Sequence, residues 1–389
     1  MIGNMKKSEC CGCGACYNIC PKKAIEMIED EEGFKYPKIN EEKCVKCGLC
    51  EKICPSLNSQ ITSRENVEIK TIGTYSNDLE NRNNSSSGGI FSELARYIIE
   101  EKNGVVYGAG FDEKFKVIQQ EISETKNLEK LRGSKYVQSD TLETYSEVKE
   151  YLEKGKYVLY TGTPCQIMGL KSYLRKPYGR LYTCDIICHG VPSPKVFRKY
   201  IYEMENEYQS KVTSISFRNK KYGWNIFSMK IEFENGKEYI AKLTEDKFMQ
   251  GFLKNIYLRP SCYKCKFSTL PRNADISIGD FWGVEKKYEE FRDDKGTSIL
   301  LLNTNKGYEI FDKIKSKVYY KENCDLEFAI ENNPCICGHV EEPKTRKNFF
   351  KKLDEESFDK LIIKSIKKPN KIKKIILLCL SKGKRMLKK

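Results

Sequence analysis

The sequence has no long apolar run. Its longest uninterrupted apolar stretch extends only from Ile375 to Leu380, which is far too short for a membrane-spanning helix. Lys6 and Lys7 near the amino terminus are not followed by an apolar segment of the kind found in signal peptides. These absences argue against a transmembrane helix and a secretion signal, and they predict a cytoplasmic protein.

Acidic residues are absent from the last part of the chain. The formal net charge is +15, yet residues 362–389 contain eleven Lys or Arg and no Asp or Glu, which leaves the rest at only +4. Because the basic character is confined to this tail, no nucleic-acid partner is predicted. The tail mixes lysines with a short apolar segment, so it fits peripheral contact with an anionic membrane surface, docking on an acidic partner, or a solvated basic helix.

Histidine is almost missing, with two residues in 389, whereas cysteine is abundant, with eighteen. Clustered cysteines in a reducing compartment indicate metal ligands rather than disulfides. Hydrophobic residues make up 39% and charged residues 32%, as in ordinary globular proteins, and the length suits two or three domains.

Two segments repeat the spacing C-x2-C-x2-C-x3-C-P, which predicts a two-cluster bacterial ferredoxin fold. Glycines beside the cysteines let three thiolates of one loop approach a cluster closely. Paired zinc knuckles are the alternative, but they use pairs of cysteines rather than this spacing. The two runs consist of Cys10, Cys13, Cys16 and Cys20, followed by Pro21, and of Cys44, Cys47, Cys50 and Cys54, followed by Pro55.

The fourth cysteine of each run is expected to bind the cluster of the other run. We call Cys10, Cys13, Cys16 and Cys54 the first ligand set. The second ligand set is Cys20, Cys44, Cys47 and Cys50. Cys11 lies outside the pattern and is interpreted as a packed or exposed bystander, with a redox-active thiol as the alternative.

Beyond a polar connector, strand-like and helix-like segments alternate, which predicts an α/β core. Apolar segments such as "KYVLYTG" and "LYTCDIIC" read as strands, and helices are expected after Pro164 and Pro194. Residues 214–240 read instead as strand pairs with a hairpin turn at "ENGK". The segment "YGAGF" lacks the third glycine of the dinucleotide fingerprint, so it predicts no nucleotide site.

Four cysteines of this core are candidate ligands of a third cluster. Cys165 and Cys188 each follow an apolar strand, and ligands gather at such carboxyl ends of strands in open α/β sheets. Cys262 and Cys265 supply a C-x2-C pair. The alternative is that the first two are buried small apolar side chains and the pair is half of a zinc site.

The core motifs resemble the beta-subunit family of coenzyme F420 hydrogenase and dehydrogenase. They occur in order over residues 71–345 as "SSGGIFSELARYI", "GVVYGAGFD", "LRGSKYVQS", "GTPCQIMGLKSYL", "DIICHGVPSP", "FRNKKYGW", "RPSCYKCKF" and "ADISIGDFWG". The resemblance implies an α/β (α+β) flavoprotein core preceded by a small ferredoxin-like 2[4Fe-4S] domain. We expect a ferredoxin domain at 1–58, a linker at 59–70, the core at 71–345 and a basic helical tail at 346–389.

The resemblance also implies one FAD and one [4Fe-4S] cluster in the core. Matched motif by motif, the cluster ligands fall on Cys165, Cys188, Cys262 and Cys265. The expected path of electrons runs between a two-electron substrate, FAD, the core cluster, the two ferredoxin clusters and a partner protein. The residues expected beside the flavin are Ser87, Gly88, Gly89, Lys135, Tyr136, Thr161, Gly162 and Thr163.

Other polar residues near these motifs are candidates for catalytic, substrate-binding or structural roles. His189 follows a cluster ligand and either relays a proton, as the candidate catalytic residue, or orders its surroundings. Arg218, Lys220 and Trp224 either line the flavin or substrate face or belong to a solvated hairpin, while Asp275 and Asp280 are expected to anchor a strand. Four further cysteines are interpreted as incidental, namely Cys324, Cys335, Cys337 and Cys379.

Two functions fit this sequence. One is a flavin enzyme with its own substrate, and the resemblance to a bacterial branch of the family implies a reductive step on a sugar or lipid-linked intermediate of cell-surface polysaccharide synthesis. The other is an electron-transfer subunit that links a ferredoxin-like donor to a separate catalytic partner. The two ferredoxin runs, "CHGVPSP" and "GDFWG" are typical of that bacterial branch, which argues against F420 itself as a cofactor.

Overall fold

The computed structural model describes residues 2–58 and 67–366. The strands are β1 (Ile25–Glu29), β2 (Lys35–Ile39), β3 (Lys70–Ser76), β4 (Val105–Phe111), β5 (Val117–Ile122), β6 (Val158–Gly162), β7 (Leu181–Ile186), β8 (Val212–Asn219), β9 (Ser228–Phe233), β10 (Glu238–Lys242), β11 (Ile276–Asp280), β12 (Ser298–Leu302) and β13 (Val318–Lys321). No helix within the described ranges combines the length and the apolar character needed to cross a membrane.

The helices alternate with the strands through the middle of the chain. They are α1 (Ala15–Ile19), α2 (Leu49–Lys52), α3 (Leu79–Asn84), α4 (Ile90–Arg96), α5 (Leu128–Leu131), α6 (Thr144–Glu153), α7 (Pro164–Leu174), α8 (Pro194–Tyr208), α9 (Lys247–Leu253), α10 (Asn305–Ile314), α11 (Leu326–Asn332), α12 (Arg346–Lys351) and α13 (Phe358–Ser365). Proline at the first position of α7 and α8 presets the backbone for a helix start, as expected.

An eight-stranded mixed sheet forms the centre of the molecule, in the order β13-β3-β12-β11-β7-β6-β4-β5. The four inner strands β11, β7, β6 and β4 are parallel, and the strands flanking them are antiparallel. The predicted α/β core is therefore confirmed. Parallel strands end at the same edge of a sheet, so the segments after β6, β7 and β11 meet there.

A separate three-stranded antiparallel sheet, β10-β9-β8, covers α8 and α9. Its β9 and β10 are joined by a turn in which the Gly236 amide donates to the Phe233 carbonyl, as the "ENGK" motif predicts. α12 and α13 pack into the same apolar cluster through Phe349, Phe358 and Ile362. The first part of the region expected to be a basic tail is thus part of the core, and residues 367–389 lie outside the described residues.

The amino-terminal region forms a small unit with the β1-β2 hairpin and two short helices. Gly14 and Gly48 precede α1 and α2 with φ of 76° and 72°, a left-handed conformation that favours glycine. Cys13 and Ala15 of this unit share an apolar cluster with Tyr145 of α6 and Ile167 of α7. The unit is therefore packed against the central sheet's helical layer.

Candidate functional site

Two adjacent parallel strands position the first pair of core cysteines. In the register of β6 and β7, Gly162 lies opposite Asp185, so the two strands end side by side. Cys165 follows β6 in the first turn of α7, where a capping interaction between Thr163 and Gln166 fixes the helix start. Cys188 follows β7 by two residues, so both thiols lie at one sheet edge.

The second pair reaches this edge through a backbone bridge. Pro192 pairs with Leu258, and the Arg259 amide donates to the Val191 carbonyl at 3.0 Å. Cys262 follows in a short 3₁₀ segment, Pro260–Lys264, and its Sγ accepts the Val191 amide at 3.5 Å. One cavity is lined by all four predicted core ligands, Cys165, Cys188, Cys262 and Cys265.

A second cavity is lined by the whole first ligand set. Its cysteines are each no more than 9% exposed, and burial raises the pKa of Cys54 to about 11. In the core cavity, burial likewise raises the pKa of Cys262 to about 12. Four thiols around each cavity are a donor set that fits a [4Fe-4S] cluster, which binds thiolates and releases their protons.

The second ligand set lies near the surface. Cys47 is exposed, and its three partners are only partly buried. A Cβ added at Gly48 would meet no atom within 4 Å, so this loop is open to solvent. Within the described ranges, no three His, Cys, Asp or Glu side chains lie close enough together to hold a single metal ion.

Cys11 is packed between the two cavities. It lines the core cavity and also the cavity of the first ligand set, and the Ser56 hydroxyl donates to its Sγ at 3.6 Å. Hydrogen bonds with Cys13 and Cys165 lower the pKa of Cys11. Sequence reasoning gave this residue no place in a site, because its position depends on how the two domains meet.

Arg259 is a second residue that sequence reasoning missed. Its side chain is fully buried and donates from Nε to the Cys10 carbonyl at 2.8 Å and from Nη1 to Gln138 Oε1 at 2.9 Å. The one local feature of the sequence that could have identified Arg259 is its position three residues before Cys262, in "RPSCYKC".

His189 lines the core cavity and contacts protein groups at both ring nitrogens. Its Nε2 lies 2.6 Å from Asn255 Oδ1, and its Nδ1 lies 3.8 Å from Cys335 Sγ. Burial lowers the pKa of His189, although the Asn255 contact opposes this shift. The ring also packs edge-on against Phe252 at 4.9 Å between centroids, which connects the core cavity to the next group of residues.

Most of the predicted flavin residues are joined in one network. The loop before α4 contains Ser87, Gly88 and Gly89, and its Ser86 hydroxyl accepts the Ser134 amide at 2.7 Å. Ser134 precedes Lys135 and Tyr136, which are the next predicted residues. The Tyr136 ring stacks on Phe252 at 4.5 Å, so this network adjoins His189.

Arg218 holds the network together. Its guanidinium forms a bidentate ion pair with Asp280 at the end of β11, and it donates to the Tyr136 hydroxyl and the Ser86 carbonyl, each at 3.1 Å. Trp224 is 2% exposed and donates to Asp280 at 3.0 Å. A solvated hairpin is therefore excluded for these residues.

Two half-buried lysines, Lys135 and Lys220, belong to the same network. Burial lowers the pKa of Lys135 to about 7, and burial together with Arg218 and Arg82 lowers the pKa of Lys220 to about 7. The Lys220 ammonium donates to the Ser87 carbonyl at 2.9 Å, and Arg218 Nε is buried without a hydrogen-bond partner among the described residues. These groups fit the phosphates of a dinucleotide such as FAD. The phosphate oxygens would accept from the unsatisfied donor and from ammonium groups that are bonded only to carbonyl oxygens.

Thr161, Gly162 and Thr163 lie apart from this network, on the cluster side. The Thr161 hydroxyl donates to the Tyr107 carbonyl inside the sheet, whereas Thr163 Oγ1 lies 3.1 Å from Cys165 Sγ. Asp275 accepts from the amide and hydroxyl of Thr183 and anchors β7, as expected.

The cysteines interpreted as incidental have different surroundings. Cys335 adjoins His189, as described, and Cys324 is buried in another apolar cluster. Cys337 is exposed, and Cys379 lies outside the described residues.

The chain matches two known protein families. Residues 155–324 match the carboxyl-terminal part of the coenzyme F420 hydrogenase/dehydrogenase beta-subunit family. Residues 9–58 match the 4Fe-4S dicluster domain. The first match contains all four core cysteines, and the second contains both ferredoxin runs.

Two individual proteins are similar to this chain. The coenzyme F420-dependent sulfite reductase of Methanocaldococcus jannaschii is 28% identical over 328 residues, which cover 82% of this chain and 47% of the reductase. The chain thus spans about half the length of this relative. A chain of the F420-reducing [NiFe] hydrogenase complex of Methanosarcina barkeri, solved after xenon derivatization, is 20% identical, with a TM-score of 0.47 over 71% of this chain and 91% of that chain.

Proposed function

We propose that this chain, which matches the coenzyme F420 hydrogenase/dehydrogenase beta-subunit family over residues 155–324 and the 4Fe-4S dicluster domain over residues 9–58, is an iron-sulfur flavoprotein oxidoreductase. In this proposal it moves electrons between a two-electron substrate, FAD and three [4Fe-4S] clusters. The sequence relatives are oxidoreductases, which supports the general class.

One observation carries the proposal. The cavity lined by the four core cysteines and the cavity lined by the first ligand set share Cys11 as a common lining residue. Two clusters bound there would be separated by little more than one side chain. Such a short separation suits electron transfer between the core and the ferredoxin domain.

The FAD part of the proposal depends on the cationic network. The loop at Ser87, with Lys220 and Lys135, would bind the phosphates, and Tyr136 and Phe252 would pack between the flavin region and His189. When bound, FAD would exchange two electrons with a substrate and single electrons with a cluster. Both nitrogens of His189 contact protein groups, which favours an ordering role over proton relay for this residue.

A second function is favoured by two other observations. The exposed Cys47 loop gives a protein partner direct access to the second cluster, and the chain spans only 47% of the matched reductase. The chain would then be an electron-transfer subunit whose substrate chemistry takes place on another polypeptide. The predicted role in polysaccharide synthesis and the expectation that F420 is not used stay predictions.

Iron and flavin analysis of anaerobically purified protein tests the proposal. We expect about twelve irons and one FAD per chain. The double variant Cys262→Ser/Cys265→Ser should lose about four irons and keep its FAD, since these thiols line only the core cavity. In this variant, flavin reduced by light should no longer reduce the ferredoxin clusters.

A matched control is Cys324→Ser, which removes a buried thiol that lines neither of these cavities and lies in the apolar cluster around Phe281. This variant should keep all of the iron. If the double variant kept about twelve irons and its electron transfer, the core-cluster assignment would be wrong. Wild-type protein without FAD would overturn the flavoprotein proposal, and turnover of a small molecule only when a partner is added would favour the second function.

A further inference from the structure

Arg259 differs from the other buried arginines of the described residues. Five arginine side chains are buried, and four of them form ion pairs with a carboxylate. The pairs are Arg82 with Asp293, Arg218 with Asp280, Arg272 with Asp185, and Arg346 with Glu32. Within the described ranges, Arg259 has no carboxylate at ion-pair distance, although it is the most deeply buried of the five.

An unpaired buried cation is unfavourable, so its charge requires an anion nearby. All of the uncharged groups that accept hydrogen bonds from Arg259 are carbonyl or amide oxygens, including the Lys35 carbonyl at 2.9 Å. The remaining contact is from Nη2 to Cys10 Sγ at 3.6 Å. Cys10 is a member of the first ligand set, and a thiolate-bound cluster is an anion that gains one more negative charge when reduced.

The surroundings of the guanidinium keep it in this position. It lies over the Tyr36 ring at 4.3 Å from the centroid, a cation–π arrangement. A Cβ at Gly12 would come within 2.8 Å of Arg259 Nη1, so the glycine lets the ligand loop approach the charge. The backbone of Arg259 is hydrogen-bonded to the segment after Cys188. This bond holds the charge at the boundary between the core and the ferredoxin domain.

We propose that Arg259 is the counter-ion of the cluster bound by the first ligand set and raises its reduction potential above that of the second cluster. This inference rests on the cluster assignment of the proposed function. A fixed buried cation stabilises the added electron because the surrounding dielectric is low. A cluster bound by the first ligand set would accept one electron at a time, and Arg259 would offset the added negative charge with no bond or proton changing place.

Redox titration followed by EPR of anaerobically purified full-length protein tests the inference. The second cluster is identified as the signal missing from Cys47→Ser, and the core cluster as the one missing from Cys262→Ser/Cys265→Ser. In Arg259→Gln, the equilibrium constant for moving an electron from the second to the first cluster should fall at least tenfold, which corresponds to 59 mV. Arg259→Lys keeps the charge and should change this constant less than threefold.

A second variant leaves Arg259 in place. Gln138→Glu puts a carboxylate where Gln138 Oε1 accepts from Arg259 Nη1, and the ion pair should lower the same constant about threefold. The matched control is Arg346→Lys, because that arginine already has Glu32 as its counter-ion, and the constant should not change.

The outcomes separate this inference from the proposed function. If Arg259→Gln retains its iron and the potential of the first cluster is unchanged, the inference is wrong. If Arg259→Gln loses the first cluster, the titration of Gln138→Glu with its full iron content is the test. An unchanged potential of the first cluster in Gln138→Glu overturns the inference. Wild-type protein that lacks the eight or so ferredoxin irons would instead contradict the proposed function.

Discussion

The two halves of the ferredoxin domain have the same cysteine spacing but opposite surroundings. The first ligand set is buried against the core. A Cβ added at Gly12 would contact Arg259, and one added at Gly14 would contact Thr141. In the second set Cys47 is exposed, and Gly48 has open space around it. One motif, used twice, therefore yields one cluster site that faces inward and one that faces outward, and the difference comes from docking rather than from the motif.

The largest expected effect of this difference is on oxidative loss of iron. Because Cys47 is the one exposed thiol among the predicted cluster ligands, the second cluster should react with ferricyanide at least tenfold faster than the other two. The measurement is the time course of iron release to a chelator, with about one third of the iron in the fast phase. Cys47→Ser should lack the fast phase and hold about eight irons. A single phase for the wild type would contradict the contrast between the two sites.

A matched pair of glycine substitutions measures the docking contact itself. Gly12 and Gly48 have φ of 70° and 72°, so alanine introduces the same backbone strain at each, about 1–2 kcal/mol. Only at position 12 does the new Cβ also meet Arg259 and Gln138. We expect Gly12→Ala to lower the stability by about 1–3 kcal/mol more than Gly48→Ala and to reduce occupancy of the first cluster.

Thermal melting and iron content of the two variants, purified in parallel, give the comparison. An excess of this size shifts the melting temperature by about 2–4 °C per kcal/mol. Equal losses in both variants would mean that the close approach of Arg259 to Gly12 does not constrain the domain.

The smallest effect is expected from an ion pair across the domain junction. Asp140 of the core accepts from Lys35 at 2.6 Å and from Lys116 at 3.0 Å. Burial alone would raise the pKa of Asp140, but these two hydrogen bonds lower it. Asp140→Asn removes both ion pairs and should lower the melting temperature at neutral pH by a few degrees, for a loss of about 1 kcal/mol.

The control for this variant is Glu143→Gln, which affects an exposed pair with Lys23 at 3.8 Å. Exposed pairs contribute little, so this change should leave the melting temperature within about 1 °C of the wild type. A larger shift for Glu143→Gln than for Asp140→Asn would show that the buried junction does not depend on Asp140.

Local patterns in the sequence were sufficient for much of the fold. The alternation of strands and helices from Val105 to Tyr208 follows from apolar runs and from Pro164 and Pro194 at helix starts. The cysteines of the core were found because each follows a strand or forms a C-x2-C pair, and the structure places all four around one cavity.

Long-range contacts were beyond the reach of the sequence. Arg259 and Cys10 are 249 residues apart, and no local pattern indicates that they touch. The same holds for Cys11, which became part of a site only where the ferredoxin domain meets Cys165. The lysines around Phe349 and Phe358 in the sequence suggested a basic tail, so the packing of these two rings in the core was not predicted.

The burial of the first ligand set has a consequence for the order in which the protein is assembled. Its cysteines are no more than 9% exposed once the ferredoxin domain has docked, and Arg259 and Gly12 close the approach from the core. Iron and sulfide delivered by a carrier protein would need these thiols before docking. We therefore expect the inward-facing cluster to be loaded while the chain is still open and the outward-facing cluster to remain replaceable in the finished protein.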